Sequence, residues 1–345
     1  MIVVITGASA GVGRATARAF ATDGWDVGLI ARGHAGLAAA ASEVRATGRR
    51  ALELPLDVAD AQAIEAAADR VERELGPIDV WVNGAMESVF APVDETTPDE
   101  YRRVTEVNYL GYVHGTLAAL RRMRRRDSGT IIQVGSALAY RSIPLQSAYC
   151  ATKAAIVGFT DALRCELIHD RSRIDVSVVH LPAVDTPQFG WVRSRLPHRA
   201  QPVPPIFEPA VAARAILAMA HHPRRELLVG RSTIMAVWGQ KFIPGLLDRY
   251  LGRTGYAAQQ TTEPRPDRPD DLDRPVDEGQ DYGARGRFAK RASSWSPALR
   301  LSLHRRLVGI LLAAAAAVLI ARRAASDRSV DPGGGYARGA PTGDS

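Results

Sequence analysis

Residues 2–13 read IVVITGASAGVG, an unbroken β-branched run that passes into a loop with glycines at 7, 11 and 13. An apolar run without polar alternation reads as a strand covered on both faces. A helical pattern, Gly13–Asp23, follows at once. Glycines at such a strand-to-helix turn permit a tight bend and let a pyrophosphate approach the backbone. The helix N-terminus then supplies free N–H groups and a positive dipole. Gly7-Ala8-Ser9-Ala10-Gly11 also fits G-x-S-x-G, the nucleophile elbow of serine hydrolases. That elbow takes part of its oxyanion hole from an earlier strand, whereas one strand precedes it here, and Gly13 has no role in it.

The same rhythm continues outward. Strands are expected at Ile2–Thr6, Asp26–Ala31, Ala51–Leu56, Val80–Asn83, Thr130–Gly135, Asp175–His180 and Glu226–Val229. Helical patterns occupy Leu37–Thr47, Ala61–Leu75, Asp99–Arg125, Ser147–Asp170 and Pro209–His221. Repeated strand–helix units imply an α/β, Rossmann-type doubly wound parallel sheet of about seven strands. Pro182–Pro209 breaks the rhythm with seven prolines and with Phe189, Trp191 and Phe207. Following a strand's carboxyl end, it reads as a lid over a ligand or as an ordinary surface loop.

Residues 1–251 are expected to form the catalytic domain. Residues 252–298 are polar, Pro/Gly-rich and charge-segregated, with acids from Glu263 to Asp281 and bases from Arg285 to Arg291. That composition predicts a disordered linker. An apolar helix is expected within 299–325, centred on Leu307–Ala321 between arginines, and a flexible tail over 326–345. Fifteen residues make about 22 Å of helix against a hydrocarbon core of about 30 Å. Membrane association and docking on protein both stay open.

Composition excludes other classes. The net charge of +7 rests on 41 arginines and three lysines. The first 251 residues carry 29 basic and 26 acidic groups, and the remainder 15 and 11. Neither is a nucleic-acid footprint, and no nucleic-acid partner is expected. Cys150 and Cys165 lie about 22 Å apart along one expected helix, too far for a mutual disulfide. No metal-ligand spacing is present, and no metal is expected. Met1 leads into the apolar run with no basic leader, so a cytoplasmic location is expected.

Tyr149-Cys150-Ala151-Thr152-Lys153 places a phenol and an ammonium one helical turn apart. An adjacent cation is expected to lower the phenol's pKa from about 10 toward working pH. With nine tyrosines and three lysines, about 0.08 such pairs arise by chance. Ser136 ends the fifth strand, at the edge where ligands bind in such sheets, and offers a hydroxyl for a carbonyl oxygen. After the second strand, Ala31-Arg32 replaces the usual acid. An arginine fork grips a 2′-phosphate that a carboxylate would repel, so NADP(H) is preferred over NAD.

On TGASAGVG, Ser136 and YCATK, the chain over residues 1–245 resembles the short-chain dehydrogenase/reductase family. The resemblance implies hydride transfer between NADP(H) and a small-molecule carbonyl or secondary alcohol. It implies that Tyr149 moves the proton, that Ser136 polarises the oxygen, and that Lys153 lowers the Tyr149 pKa and binds the nicotinamide ribose. Asn108, by the same resemblance, matches the family asparagine expected to anchor a water of the proton relay. The cofactor contacts it implies fall on Gly7, Ser9, Ala10, Gly11, Val12, Gly13, Asp57, Val58, Asn83, Ala85 and Thr186, besides Tyr149 and Lys153. It also implies a homo-oligomer. The chain departs from the family at Asn83-Gly84-Ala85-Met86, for Asn-Asn-Ala-Gly, and at Leu181-Pro182, for Pro-Gly. Met86, Val89, Phe90, Leu138, Tyr140, Phe189 and Trp191 are expected to line an apolar substrate site. The rival function is a non-catalytic NADP-binding regulatory or scaffold protein.

Overall fold

In the computed structural model, residues 1–304 and 317–320 are described. The strands of the main sheet are β1 (Ile2–Thr6), β2 (Asp26–Ala31), β3 (Ala51–Pro55), β4 (Val80–Asn83), β5 (Gly129–Ser136), β6 (Ile174–Leu181) and β7 (Glu226–Leu228). They pair in parallel in the order β7-β6-β5-β4-β1-β2-β3. The order reverses between β1 and β4, so a crevice opens at the carboxyl ends there, as a doubly wound sheet requires. β1 is buried at every residue, as its apolar run demands.

Helices cover both faces. α1 (Gly11–Thr22) packs on α2 (His34–Arg45) and α7 (Pro209–His221), while α3 (Ala61–Glu74) packs on α5 (Gly111–Met123) and α4 (Pro98–Thr105) on α6 (Ser147–His169). Their starts follow local chemistry. Asp60 caps α3 by accepting from the amides of Gln62 and Ala63, and Thr97 and Glu100 form a capping box around Pro98 at α4. The single helix expected over Asp99–Arg125 is divided between α4 and α5 by a π turn at Glu106–Leu110.

The segment 252–298 corrects the linker expectation. α9 (Pro244–Ala258), which follows α8 (Arg231–Phe242), runs past residue 251. Gln260–Pro264 then pairs antiparallel with His198–Ala200, and Ala292–Ser293 pairs with Ile206–Phe207. Leu272, 1% exposed, packs with Val89, Ala91, Val104 and Ala148. The acids that suggested disorder meet arginines: Asp270 and Asp273 bind Arg193, Asp281 binds Arg14, and Glu263 binds Arg287. Met1–Leu299 accordingly forms one compact unit. In the remainder, most of Leu307–Ala321 lies outside the described residues, as does the tail 326–345. Among the described residues no helix is long and apolar enough to cross a membrane.

Candidate active site

A cavity of about 410 Å³ opens at the carboxyl edge of the sheet, along the loops after β1, β2, β4, β5 and β6. Gly7, Ser9, Ala10, Gly11, Val12 and Gly13 form one wall. The loop is close-packed: a Cβ on Gly13 would fall 2.1 Å from the Gly7 carbonyl oxygen, and one on Gly7, at φ +74°, 2.8 Å from Ala85 Cα. Such a turn exposes backbone where a pyrophosphate approaches a helix N-terminus, so this chain's residues fit a dinucleotide. Asp57, Val58, Ala85 and Thr186 also line the cavity. Asp57 accepts from the Ala59 amide at 3.0 Å and pairs with Arg103 at 2.5 Å. Burial opposes its ionisation, but these two donors hold its carboxyl below the ordinary value.

Asn83 and Asn108 lie beside the cavity without lining it. Asn83 is fully buried beneath the cleft, where its amide binds Tyr112, Thr116 and Gln133 and its oxygen accepts from Trp81 Nε1. It braces β4 against β5 and α5. Asn108, in the π turn, grips the amide and carbonyl of Glu87 at 2.7 and 2.9 Å and contacts Thr152 at 3.2 Å. The partners of both side chains lie inside the protein, and neither residue lines the cavity.

Ser136, Tyr149 and Lys153 converge on one side of the cavity. Ser136 lies at the end of β5 through its eight-residue register with β6. Burial pushes the Tyr149 phenol up to about 12, with a hydrogen bond from the Ser136 side chain acting in the opposite sense. Lys153 Nζ donates to Tyr112 Oη at 2.9 Å and to the Val134 carbonyl at 2.8 Å, 5.6 Å from the Tyr149 ring centre. Burial pulls this ammonium down to about 7. The lowering of the Tyr149 pKa expected from the i, i+4 spacing is therefore absent in this arrangement. Desolvation dominates, and the cation is directed at Tyr112 instead.

Met86, Leu138, Phe189 and Trp191 line the cavity as expected, together with Ile143 and Pro202. Val89 and Phe90 are buried in neighbouring clusters, and the Tyr140 hydroxyl bonds Glu226 at 2.8 Å. Sequence reading missed Glu87, Ser232 and Ala236, and Asp271, Pro275, Val276 and Asp277, which line the cavity beside Arg32. The available signal was the acid run itself, whose partners lie far away in sequence.

A family model described as short chain dehydrogenase matches residues 1–196. The chain belongs to that family. It is an oxidoreductase acting on CH–OH donors with NAD(P), and its fold is the family's Rossmann sheet. An uncharacterized oxidoreductase of Bacillus subtilis (strain 168), YxnA, is 32% identical over 76% of this chain and 74% of its own length. An uncharacterized oxidoreductase of Mycobacterium tuberculosis (strain H37Rv) is 35% identical over 65% of each. Among solved structures, a short-chain dehydrogenase from Streptomyces avermitilis superposes with TM-score 0.60 at 30% identity, covering 74% of this chain and 96% of that one. An alcohol dehydrogenase from the archaeon Thermococcus sibiricus, complexed with 5-hydroxy-NADP, gives TM-score 0.58 at 28% identity over 66% and 95%.

Proposed function

We propose that the chain interconverts a carbonyl and a secondary alcohol with NADP(H), Tyr149 exchanging the proton. The observation that carries this reading is the convergence of Tyr149, Ser136 and Lys153 on the cleft that the glycine loop walls. When bound, the nicotinamide supplies or accepts the hydride. Ser136 holds the substrate oxygen, and a phenol near 12 remains protonated at neutral pH, ready to donate to that oxygen as charge develops on it. Arg32, at the end of β2 on the cavity wall, supports the choice of NADP. Met86, Leu138, Ile143, Phe189 and Trp191 suit an apolar substrate.

NADPH consumption with a panel of ketones and aldehydes tests the activity. Tyr149→Phe is expected to lower kcat by about 100-fold or more; intact turnover would remove the tyrosine from the chemistry. NADPH binding without turnover of any carbonyl would favour a regulatory role. Arg32→Asp is expected to shift preference toward NAD, and an unchanged NADPH Kd would refute the arginine's part.

A further inference from the structure

Residues 270–283 lie beyond the segment matched by the family model and carry six acidic residues, Asp270, Asp271, Asp273, Asp277, Glu278 and Asp281. Part of this segment, Asp271, Pro275, Val276 and Asp277, lines the cleft, and the segment lies as a strap over Arg32 and the start of α2. The Asp277 carboxylate lies so close to the start of α2 that a Cβ on Gly33 would fall 1.8 Å from Oδ1, and one on Gly36 2.4 Å from Oδ2. Glu278 Oε2 accepts from the His34 amide at 3.2 Å, and the carbonyls of Glu278 and Asp277 accept from Ala35 and Gly36 at 3.2 and 3.3 Å. Asp281 takes both Nη atoms of buried Arg14, at 2.7 and 3.2 Å. The Gly283 carbonyl accepts from the Gly11 amide at the start of α1. Arg32 donates to the carbonyls of Asp271 and Leu272 and, at 2.5 Å, to Glu87.

The donors that attract a phosphate to this end of a Rossmann cleft are thus already engaged by the chain's own oxygens. Around Arg32 the balance is acidic. Glu87 and Asp271 are buried side by side, and burial raises both carboxyls, Asp271 to about 7. Asp57 and Arg103 complete the surroundings. A dianionic phosphate and these oxygens compete for the same N–H groups of Arg32.

We propose that the contacts of this strap with Arg32 and with the start of α2 form an internal counter-ligand of the cofactor's 2′-phosphate, so that NADP(H) enters by displacing them while NAD(H), which has no such phosphate, leaves them in place. The inference rests on the NADP reading above and adds Asp277 and Glu278 as residues that set cofactor specificity. A ligand shifts such an equilibrium only through its different affinity for the two states, and the coupling is reciprocal. NADPH therefore loosens the strap, and weakening the strap tightens NADPH.

Hydrogen exchange of the full chain reads the first half, with NADPH, NADH and adenosine 2′,5′-bisphosphate as probes. Saturating NADPH or the bisphosphate is expected to speed exchange across 270–278, and NADH to leave that stretch unchanged. Equilibrium titration reads the second half: Asp277→Asn/Glu278→Gln is expected to bind NADPH about tenfold more tightly with NADH altered less than twofold. Slower or unchanged exchange under bound NADPH overturns the proposal, as does an unchanged NADPH Kd in the variant. The exchange measurement needs only the natural chain, so a variant that misfolds leaves the question decided. If neither natural chain nor variant prefers NADPH to NADH, the cofactor reading fails, and this outcome differs from NADPH binding tightly beneath an unmoved strap.

Discussion

Lys153 is 2% exposed, and its ammonium has a phenol and a carbonyl for company, with no carboxylate beside it. Its pKa near 7 when folded, against 10.5 as the ordinary value, links stability to pH. Between those values the unfolded chain binds more protons, so stability rises with pH across that window and the cost of burial is full below it. Lys153→Met removes the titrating group. The Tm of the natural chain relative to this variant is expected to climb from pH 7 to 10, and a flat difference would contradict the buried cation. Tyr149 gives a kinetic counterpart. With its phenol near 12, alcohol oxidation, which needs the phenolate, is expected to rise about tenfold per pH unit from 7 to 10, with carbonyl reduction nearly flat. Initial rates in both directions measure this. The residue types and spacing of this site were legible in the sequence. The direction of the Tyr149 shift was not, because desolvation depends on what surrounds the helix.

At the scale of elements, hydrophobic periodicity located all seven strands of the sheet, several to the residue, because buried parallel strands leave unbroken apolar runs. The glycine loop was equally legible. Gly13→Ala is expected to abolish dinucleotide binding in titration, since the new methyl group meets the Gly7 carbonyl at 2.1 Å. Retained affinity would show that the loop relaxes. At α4, Thr97→Ala removes the capping box and is expected to cost about 1 kcal/mol in denaturant unfolding. The π turn between α4 and α5 was invisible to periodicity, which reads three or four residues at a time. Its reason is tertiary: Asn108 faces inward there to hold Glu87. Asn83 shows the same limit, since the motif named the residue but not that its amide braces the sheet.

At the scale of the whole molecule, residues 252–298 belong with the enzyme's first 251, and the boundary between compact units falls after Leu299. For the apolar run Leu307–Ala321, expected either to meet a membrane or to dock on protein, we propose the membrane contact. Pelleting with vesicles is expected to retain the full chain and to release a chain ending at residue 304; equal partitioning would remove the anchor. Alone, the sequence determined the order of strands and helices, the dinucleotide loop, and the one-turn spacing of Tyr149 and Lys153. These features repeat or act within a few residues, so composition and spacing carry them. The strap across the cleft was decided by tertiary structure alone. Arg14 meets Asp281 and Arg32 meets Asp271 from more than 230 positions away, and a charge bears no local mark of its distant partner.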